Sequence, residues 1–237
     1  MGGALRRRLV RRLDLEKTLT EVGVHPKPKI WLEQYTIPPS TAAEVLHIAA
    51  NVYDDIVEKR VVDLGCGTGR LAIGAAYLGA AEVTGIDIDP VAVREAYRKA
   101  EAMGFKEITN WIAGDLDALR GCFDTVIQNP PFGVQRRKAD RKFLEKAISI
   151  GRKVYSLHKS VKMNKRLARI SGKGKFKPLP TTPSPFLKRF IERKGGKIRA
   201  VYSMVMSIPY TFNFHRRRRH DFMVDLYVIE GKAEISK

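Results

Sequence analysis

Short runs of apolar residues alternate with longer amphipathic stretches through the middle of this chain. The runs end at polar or glycine residues, and each has the length of a buried strand. They cover residues 61–64, 82–87, 109–113, 123–128 and 153–157. The stretches between them have the spacing of helices that cover a parallel sheet. The pattern therefore predicts an α/β fold in which strand and helix alternate.

The two ends of the chain depart from this alternation. Residues 198–208 and 222–229 are two further apolar runs, which predict antiparallel strands that close the sheet. Residues 4–21 place leucines at helical spacing among arginines, which predicts a basic N-terminal helix. We therefore expect a Rossmann-like, mostly parallel sheet of seven strands with an antiparallel closing strand and helices on both faces.

Local signals predict where segments begin and end. Thr41 and Glu44 have the spacing of a capping box, so we expect Thr41 to cap the helix before the first strand. Asp89 followed by Pro90 predicts an N-cap with proline at the first helical position. We divide the chain into residues 1–39, a basic helix and an ordered loop, and residues 40–237, the main domain. A basic insertion is expected at about residues 160–182.

The charge of the chain indicates a polyanionic partner. Lys and Arg number 44 against 25 Asp and Glu, a net charge of +19, and nucleic acid is the first candidate. The candidate contacts lie in the basic insertion and in the loop before the last strand: Lys162, Lys165, Arg166, His215, Arg216, Arg217, Arg218 and Arg219. Aromatic residues beside the four arginines favour a loop that binds a nucleic-acid backbone. A hairpin tip with solvated charge is the alternative.

Other compositional features exclude several classes of protein. Cys66 and Cys122 are too few for a four-cysteine zinc site or a secreted disulfide framework. The longest apolar run, residues 71–81, falls short of the ~20 residues that a membrane span needs. We therefore expect a cytoplasmic protein without a metal site and without a membrane partner.

The candidate chemistry begins where the first apolar run ends. Gly65, Gly67 and Gly69 alternate directly after it, and the missing Cβ atoms let a ligand lie against the turn. Asp87 ends the second strand at the position where doubly wound folds hold a ribose. Because the carboxyl ends of parallel strands share one edge, these residues and Asp115 are expected around one crevice. The G-x-G-x-G spacing is tighter than the dinucleotide fingerprint and favours an S-adenosylmethionine enzyme.

The segment Asn129-Pro130-Pro131-Phe132 follows the fourth strand at the same edge. Its prolines fix a rigid turn. The segment resembles a motif of methyltransferases that act on planar amino groups, and this resemblance implies an exocyclic amine as the group that is methylated. Such an amine is a poor nucleophile because its lone pair is delocalised into the ring. The Asn129 side-chain oxygen and the Pro130 carbonyl would accept both of its N–H hydrogens and localise that lone pair, while Phe132 would stack on the base. A turn-capping amide is the structural alternative for Asn129.

Both motifs resemble those of a known family. Residues 63–69 resemble the first motif of class I methyltransferases, and residues 129–132 resemble the fourth motif of methyltransferases that act on planar amino groups. With Leu-Glu-Gln-Tyr at 32–35 and Val-Tyr-Ser-Leu-His-Lys at 154–159, nearly the whole chain is similar to the methyltransferase-like family of ribosomal RNA adenine-N6 methylases. The resemblance implies methylation of adenine N6 in structured RNA, with small-subunit ribosomal RNA as substrate. It also implies a small zinc-ribbon activator protein as a candidate partner.

The resemblance further implies the site residues. The cofactor-binding set is Gln34, Tyr35, Thr36, Asp63, Gly65, Gly67, Thr68, Gly69, Asp87, Ile88, Asp115, Leu116 and Asn129. The catalytic set is Asn129, Pro130, Pro131 and Phe132. Within the first set, Asp63 is expected at the methionine end of the cofactor and Asp87 at the ribose hydroxyls. Asp115 and Leu116 are expected at the adenine.

Other functions share parts of this pattern. Protein-glutamine N5 methylases and DNA adenine methylases also carry the Asn-Pro-Pro motif. The former add an N-terminal docking domain, for which residues 1–39 are too short, and the latter add a target-recognition domain. A non-catalytic RNA-binding scaffold is the alternative from another class, and the intact acidic residues and Asn129 argue against it.

Overall fold

The computed structural model describes residues 10–132, 139–160, 177–209 and 219–233. Its strands are β1 Arg60–Leu64, β2 Glu82–Asp87, β3 Thr109–Ala113, β4 Phe123–Gln128, β5 Gly151–Lys159, β6 Leu179–Pro180, β7 Lys197–Pro209 and β8 Arg219–Glu230. They form one sheet in the order β3-β2-β1-β4-β5-β8-β7-β6. The first five strands run parallel to one another, and the last three continue the sheet antiparallel.

Six helices lie in the described ranges. They are α1 Arg12–Glu21, α2 Pro39–His47, α3 Arg70–Tyr77, α4 Pro90–Ala102, α5 Ala139–Ile150 and α6 Pro185–Arg193. Ile48–Val52 continue α2 as a π-helical turn, and Ile30–Leu32, Lys106–Ile108 and Leu116–Ala118 are short 3-10 turns. None of these helices combines the length and apolarity needed to cross a bilayer.

The helices bury two apolar faces of the sheet. Leu15 and Leu19 of α1 and Leu46 of α2 join one core cluster with β1 and β5. Leu144 of α5 and Ile191 of α6 join the other. Burying each such side chain stabilises the fold by about 1.5–3 kcal/mol. The two clusters hold the sheet in place from both faces. Because β1 to β5 are parallel, their carboxyl ends meet at one edge of it.

The structure confirms the predicted α/β class and all seven predicted strands. β6 is an eighth strand that the sequence did not predict, because a two-residue strand shows no periodicity. The predicted N-terminal helix is helical from Arg12, whereas residues 10 and 11 are not helical. The backbone of Arg11 is extended there, with ψ 141°. Residues 4–9 of that prediction lie outside the described residues.

The predicted cap of α2 is wrong. The helix begins at Pro39, and Thr41 is buried within its first turn, with no side-chain cap on the helix. Proline suits the first helical position because its φ is fixed and the missing N–H has no helical partner there. The helix therefore starts two residues before the capping box. Asp89, by contrast, caps α4 as predicted, since its side chain accepts the N–H of Val91.

Candidate active site

A cavity of about 400 Å³ lies at the carboxyl ends of the parallel strands. Its volume falls within the range of small-molecule sites in proteins. Most of the predicted site residues line it: Gln34, Tyr35, Thr36, Asp63, Gly65, Gly67, Thr68, Asp87, Ile88, Asp115, Leu116, Asn129, Pro130 and Pro131. Gly69 and Phe132 belong to the same turns but are not part of its wall. The fold thus brings the cofactor and catalytic candidates together in one place.

The glycine turn after β1 forms the floor of this cavity. The N–H groups of Gly65 and Cys66 both donate to the Ile86 carbonyl, at 2.8 and 3.0 Å, which fixes the turn against β2. Gly65 has a φ of 71°, and a Cβ there would lie 2.8 Å from the Phe143 ring. At Gly69, with φ 83°, a Cβ would lie 2.6 Å from the Trp111 ring. The absence of a side chain at Gly65 therefore lets Phe143 of the cavity wall lie close to the turn. At Gly69 it lets Trp111 pack against the turn from behind.

Two carboxylates stand beside the turn. Asp63 is fully buried, and one of its oxygens accepts the N–H of Ala72 at 3.1 Å. Burial raises the pKa of Asp63 to about 8. The two oxygens of Asp87 accept the N–H groups of Gly67 and Asp89, each at 2.9 Å, and burial raises the pKa of Asp87 as well. A cationic ligand group beside Asp63 would restore its ionised form.

Three buried oxygens in the cavity wall lack partners in the described part of the chain. They are Asp63 Oδ1, Thr68 Oγ1 and Asn129 Oδ1. A buried polar atom without a hydrogen bond costs about 1–3 kcal/mol. A polar ligand that supplies donors would remove this cost. The partnerless Asn129 oxygen also argues against the turn-capping role, because a capping oxygen would accept a backbone N–H.

The N-terminal loop closes one side of the cavity. Gln34 lies in the wall, yet its amide is engaged by the protein. Its Nε2 donates to Asp89 Oδ2 at 2.9 Å, and its Oε1 accepts the N–H of Lys29 at 2.8 Å. Thr36 Oγ1 accepts the N–H of His25 at 3.3 Å. In this arrangement Gln34 and Thr36 shape the loop through their side chains.

Asp89 does more than the N-cap that the sequence predicts. Its Oδ2 accepts from Gln34 and lies 3.2 Å from Lys29 Nζ and 3.4 Å from His25 Nε2. One buried carboxylate therefore joins the N-terminal loop to the start of α4. Sequence reasoning missed this because a cap needs only its own helix, whereas these partners lie 55 or more residues earlier.

Arg70 is a second residue that the sequence analysis missed. Its buried guanidinium donates to the carbonyls of Leu19, Ile37 and Gly23, with the first two at 3.1 and 2.5 Å. Burial lowers the pKa of Arg70 to about 10. The signal was a cation at the head of an otherwise apolar helix directly after the glycine turn. Through these hydrogen bonds, Arg70 links α1 and the N-terminal loop to the glycine turn.

The Asn129 turn is held by the same loop. The Phe132 N–H donates to Glu33 Oε2 at 2.7 Å. The ring of Phe132 packs with its centroid 5.7 Å from those of Tyr35 and Phe222. Phe132 is half-buried in this position, away from the cavity wall. Its predicted stacking on a base remains a proposal.

The remaining wall is more apolar and more open. Asp115 Oδ1 accepts the N–H of Asp117 at 2.9 Å and pairs with Lys142 Nζ at 2.8 Å. Leu116 is buried and Ile88 is 51% exposed. A flat ring could lie between such apolar side chains, with the exposed Asp115 carboxylate at the rim.

The nucleic-acid candidates mostly lie outside the described residues. This holds for Lys162, Lys165, Arg166, His215, Arg216, Arg217 and Arg218. The structure corrects the placement of Arg219, because its backbone pairs with Pro209 in the β7–β8 ladder and so belongs to β8 instead of the loop. In the described ranges, no three His, Cys, Asp or Glu side chains lie close enough to hold a metal ion.

The fold and the cavity define the chain as a class I methyltransferase. The family model of the methyltransferase small domain matches residues 41–155. The crystal structure of a Pyrococcus horikoshii protein superposes with a TM-score of 0.78 at 34% identity, covering 94% of this chain and 98% of that one.

Relatives along the whole chain define the family more closely. An uncharacterised protein of Methanocaldococcus jannaschii is 36% identical over 94% of this chain and 95% of its own length. The rRNA N(6)-adenosine-methyltransferase METTL5 of Danio rerio is 33% identical over 90% of this chain and 95% of its own length. The chain belongs to the METTL5 family of methyltransferases, which confirms the family predicted from the motifs.

Proposed function

We propose that this chain transfers a methyl group from S-adenosylmethionine to the N6 amine of an adenosine in structured RNA, with small-subunit ribosomal RNA as the substrate. The observation that carries the proposal is that Asp63 Oδ1, Thr68 Oγ1 and Asn129 Oδ1 belong to residues lining one cavity and have no hydrogen-bond partner among the described residues. The relatives named as rRNA N6-adenosine methyltransferases in fish and fly, each 33% identical, support the choice of substrate.

The residues of the cavity fit the cofactor. Asp63 offers a buried carboxylate to a cationic amino group, Asp87 offers the second lone pairs of its oxygens to hydroxyls, and Ile88 and Leu116 offer apolar surface to a flat ring. When bound, S-adenosylmethionine supplies an electrophilic methyl group on a sulfonium, and loss of this group would leave S-adenosylhomocysteine as the second product. Asp63, Asp87 and the glycine turn would hold it.

Asn129 and Pro130 prepare the nucleophile. Adenine N6 carries two N–H hydrogens, and these donate to the Asn129 side-chain oxygen and the Pro130 carbonyl. Both contacts draw the nitrogen lone pair out of the ring and orient it. The amine can lose a proton after the methyl transfer, so this scheme requires no strong base. The rigid Pro130-Pro131 turn keeps both acceptors in place, because its φ angles are fixed.

Mass spectrometry of nucleosides tests this function. Deproteinised small-subunit ribosomal RNA is incubated with the protein and a labelled methyl donor, and digestion should yield labelled N6-methyladenosine. Asn129→Ala should lower turnover by about a hundredfold, the cost of removing one such preorganised group, while calorimetry shows cofactor affinity near that of the wild type. Label in glutamine or DNA, or normal turnover in the variant, would contradict the proposal.

Two finer statements belong to the same proposal. We place a small zinc-ribbon activator at an edge of the sheet, where β3 or β6 has a single strand neighbour in the described residues. The free thiols of Cys66 and Cys122 support a cytoplasmic location. Comparing turnover of the chain alone and with such a protein added tests the first statement, and equal turnover would remove the activator from the proposal.

A further inference from the structure

Two aromatic rings and two cations form a cluster on the surface of α5 and α6. Phe186 and Phe190 lie one turn apart on α6, with ring centroids 6.3 Å apart and planes at 24°. The guanidinium carbon of Arg141 lies 4.7 Å from the centroid of the Phe186 ring. Lys194 Nζ lies 6.0 Å from that of Phe190. We call these four side chains the aromatic–cation cluster.

The Arg141 side of the cluster adjoins the catalytic cavity. Arg141 lies in the first turn of α5. Ala139 and Lys142, in the same turn, both line the cavity. Arg141 therefore directly precedes a residue that lines the cavity.

The Phe186 side of the cluster lies level with the end of β4, where the Asn129 turn begins. Ser184 caps α6, and its N–H donates to the Tyr227 hydroxyl at 2.8 Å. Tyr227 pairs with Ser156 on β5, and Ser156 pairs with Gln128 on β4. Gln128 directly precedes Asn129. The start of α6 is thus level with the beginning of the catalytic turn.

Phe186 packs beside a cation and is still exposed to solvent. It is 46% exposed, whereas Leu187 and Ile191 on the same helix are buried. Its neighbours Lys188 and Arg189 are exposed cations. The α6 surface therefore presents an accessible ring beside the cations Arg141, Lys188 and Arg189, close to the proposed site of methyl transfer, while Lys194 pairs with Glu145 at 2.5 Å.

Unpaired nucleotides match this chemistry. Bases stack on aromatic rings and on guanidinium planes, and their phosphates are attracted to lysine and arginine. We propose that the aromatic–cation cluster is a stacking site for an unpaired RNA nucleotide that flanks the target adenosine. This inference rests on the proposed RNA substrate.

Steady-state kinetics and fluorescence test the site. The substrate is a short RNA hairpin around the methylated adenosine, which mass spectrometry of oligonucleotide fragments of the labelled RNA locates, with 2-aminopurine placed at flanking positions. Phe186→Ala should raise the KM for this RNA about tenfold, in line with the loss of one stacked base, and leave kcat unchanged. The wild type should quench 2-aminopurine at one flanking position, and Phe186→Ala should not.

Matched variants separate stacking from general damage. Tyr97→Ala on α4 removes another exposed ring that lies under a cation, Lys106 at 5.8 Å, and should leave the KM for RNA unchanged. Phe186→Trp should retain the low KM and Phe186→Leu should not, with cofactor affinity reporting that each variant is folded.

Different experimental outcomes would contradict the proposed function and the proposed stacking site. If the wild type leaves RNA unmethylated both alone and with the zinc-ribbon activator added, the proposed function fails. If the wild type methylates the hairpin but Phe186→Ala and Tyr97→Ala behave alike, or if quenching persists without the Phe186 ring, the stacking site is wrong. A binding surface for a protein would give this second result.

Discussion

The Asp63 carboxyl lies in an environment that works against its charge. It is fully buried, one oxygen accepts a single backbone N–H, and the other has no partner in the described residues. Burial raises its pKa to about 8, and the nearby Asp87 adds to the effect. The buried acid is costly to the free protein, which supports the ligand-binding role that we propose for it. Functional sites commonly carry such shifted groups.

The pH dependence of stability should reveal this cost. Between the ordinary pKa of 3.8 and about 8, folded Asp63 holds a proton that the unfolded chain has lost. The stability of the wild type should therefore fall as pH rises through this window, by up to about 1.4 kcal/mol per pH unit from this group. The side chain of the Asp63→Asn variant does not titrate. The guanidinium chloride concentration at which this variant is half unfolded should therefore rise, relative to that of the wild type, from pH 5 to pH 8.

The Asp63→Asn variant should also lose affinity for S-adenosylmethionine, because an uncharged amide cannot pair with the cationic amino group of this cofactor. Calorimetry at pH 8 measures this loss. Parallel stability profiles for the two proteins, or unchanged cofactor affinity, would contradict the role assigned to Asp63.

The N-terminal loop is the element that joins the two halves of the site. Gln34 binds Asp89 at the start of α4, and Glu33 accepts the N–H of Phe132 after the catalytic turn. Glu33 adopts a left-handed backbone, with φ 51°, which costs energy in a residue other than glycine. The loop therefore orients the Asn129 turn relative to the start of α4. The division of the chain near residue 39 stays a prediction.

Glu33 should act through the position of the Asn129 turn. Glu33→Ala removes an acceptor in a hydrogen bond worth about 1.5–3 kcal/mol, so kcat should fall about tenfold with little change in cofactor affinity. Glu33→Gln keeps an acceptor oxygen and should retain most of kcat. Single-turnover rates at saturating RNA measure the effect.

Glu58 offers a matched control for this change. It is an exposed glutamate with a φ of 57° that does not line the cavity. Glu58→Ala should therefore leave the rate unchanged. Equal rates for the Glu33 and Glu58 variants would refute the positioning role.

The molecule as a whole carries a charge that is far from balanced. The net charge of +19 attracts RNA over distances longer than any single contact. Its sequence clusters at 162–166 and 215–219 are the first candidates for phosphate contacts. Binding through phosphates should weaken steeply with salt, because each contact releases counterions.

Replacing Arg216, Arg217, Arg218 and Arg219 with glutamine should weaken RNA binding and flatten its salt dependence. The logarithmic slope should decrease by up to about 3, near 0.7 for each lost contact to single-stranded RNA. Filter binding over a range of salt concentrations measures it. The control replaces four other exposed cations, Arg60, Arg94, Arg98 and Lys106, for the same change in charge. Identical slopes for both variants would mean that net charge alone drives binding.

The sequence by itself determined the strands, the order of the motifs and the edge at which they meet. Apolar periodicity and glycine or proline turns act within a few residues, so Gly65, Asp87 and Asn129 could be assigned to strand ends without a structure. Only the tertiary structure decided how the site is held. Gln34 reaches Asp89 across 55 residues, Glu33 reaches Phe132 across 99, and Arg70 binds carbonyls at least 33 residues away. Such partners depend on the packing of distant segments, which no local pattern records.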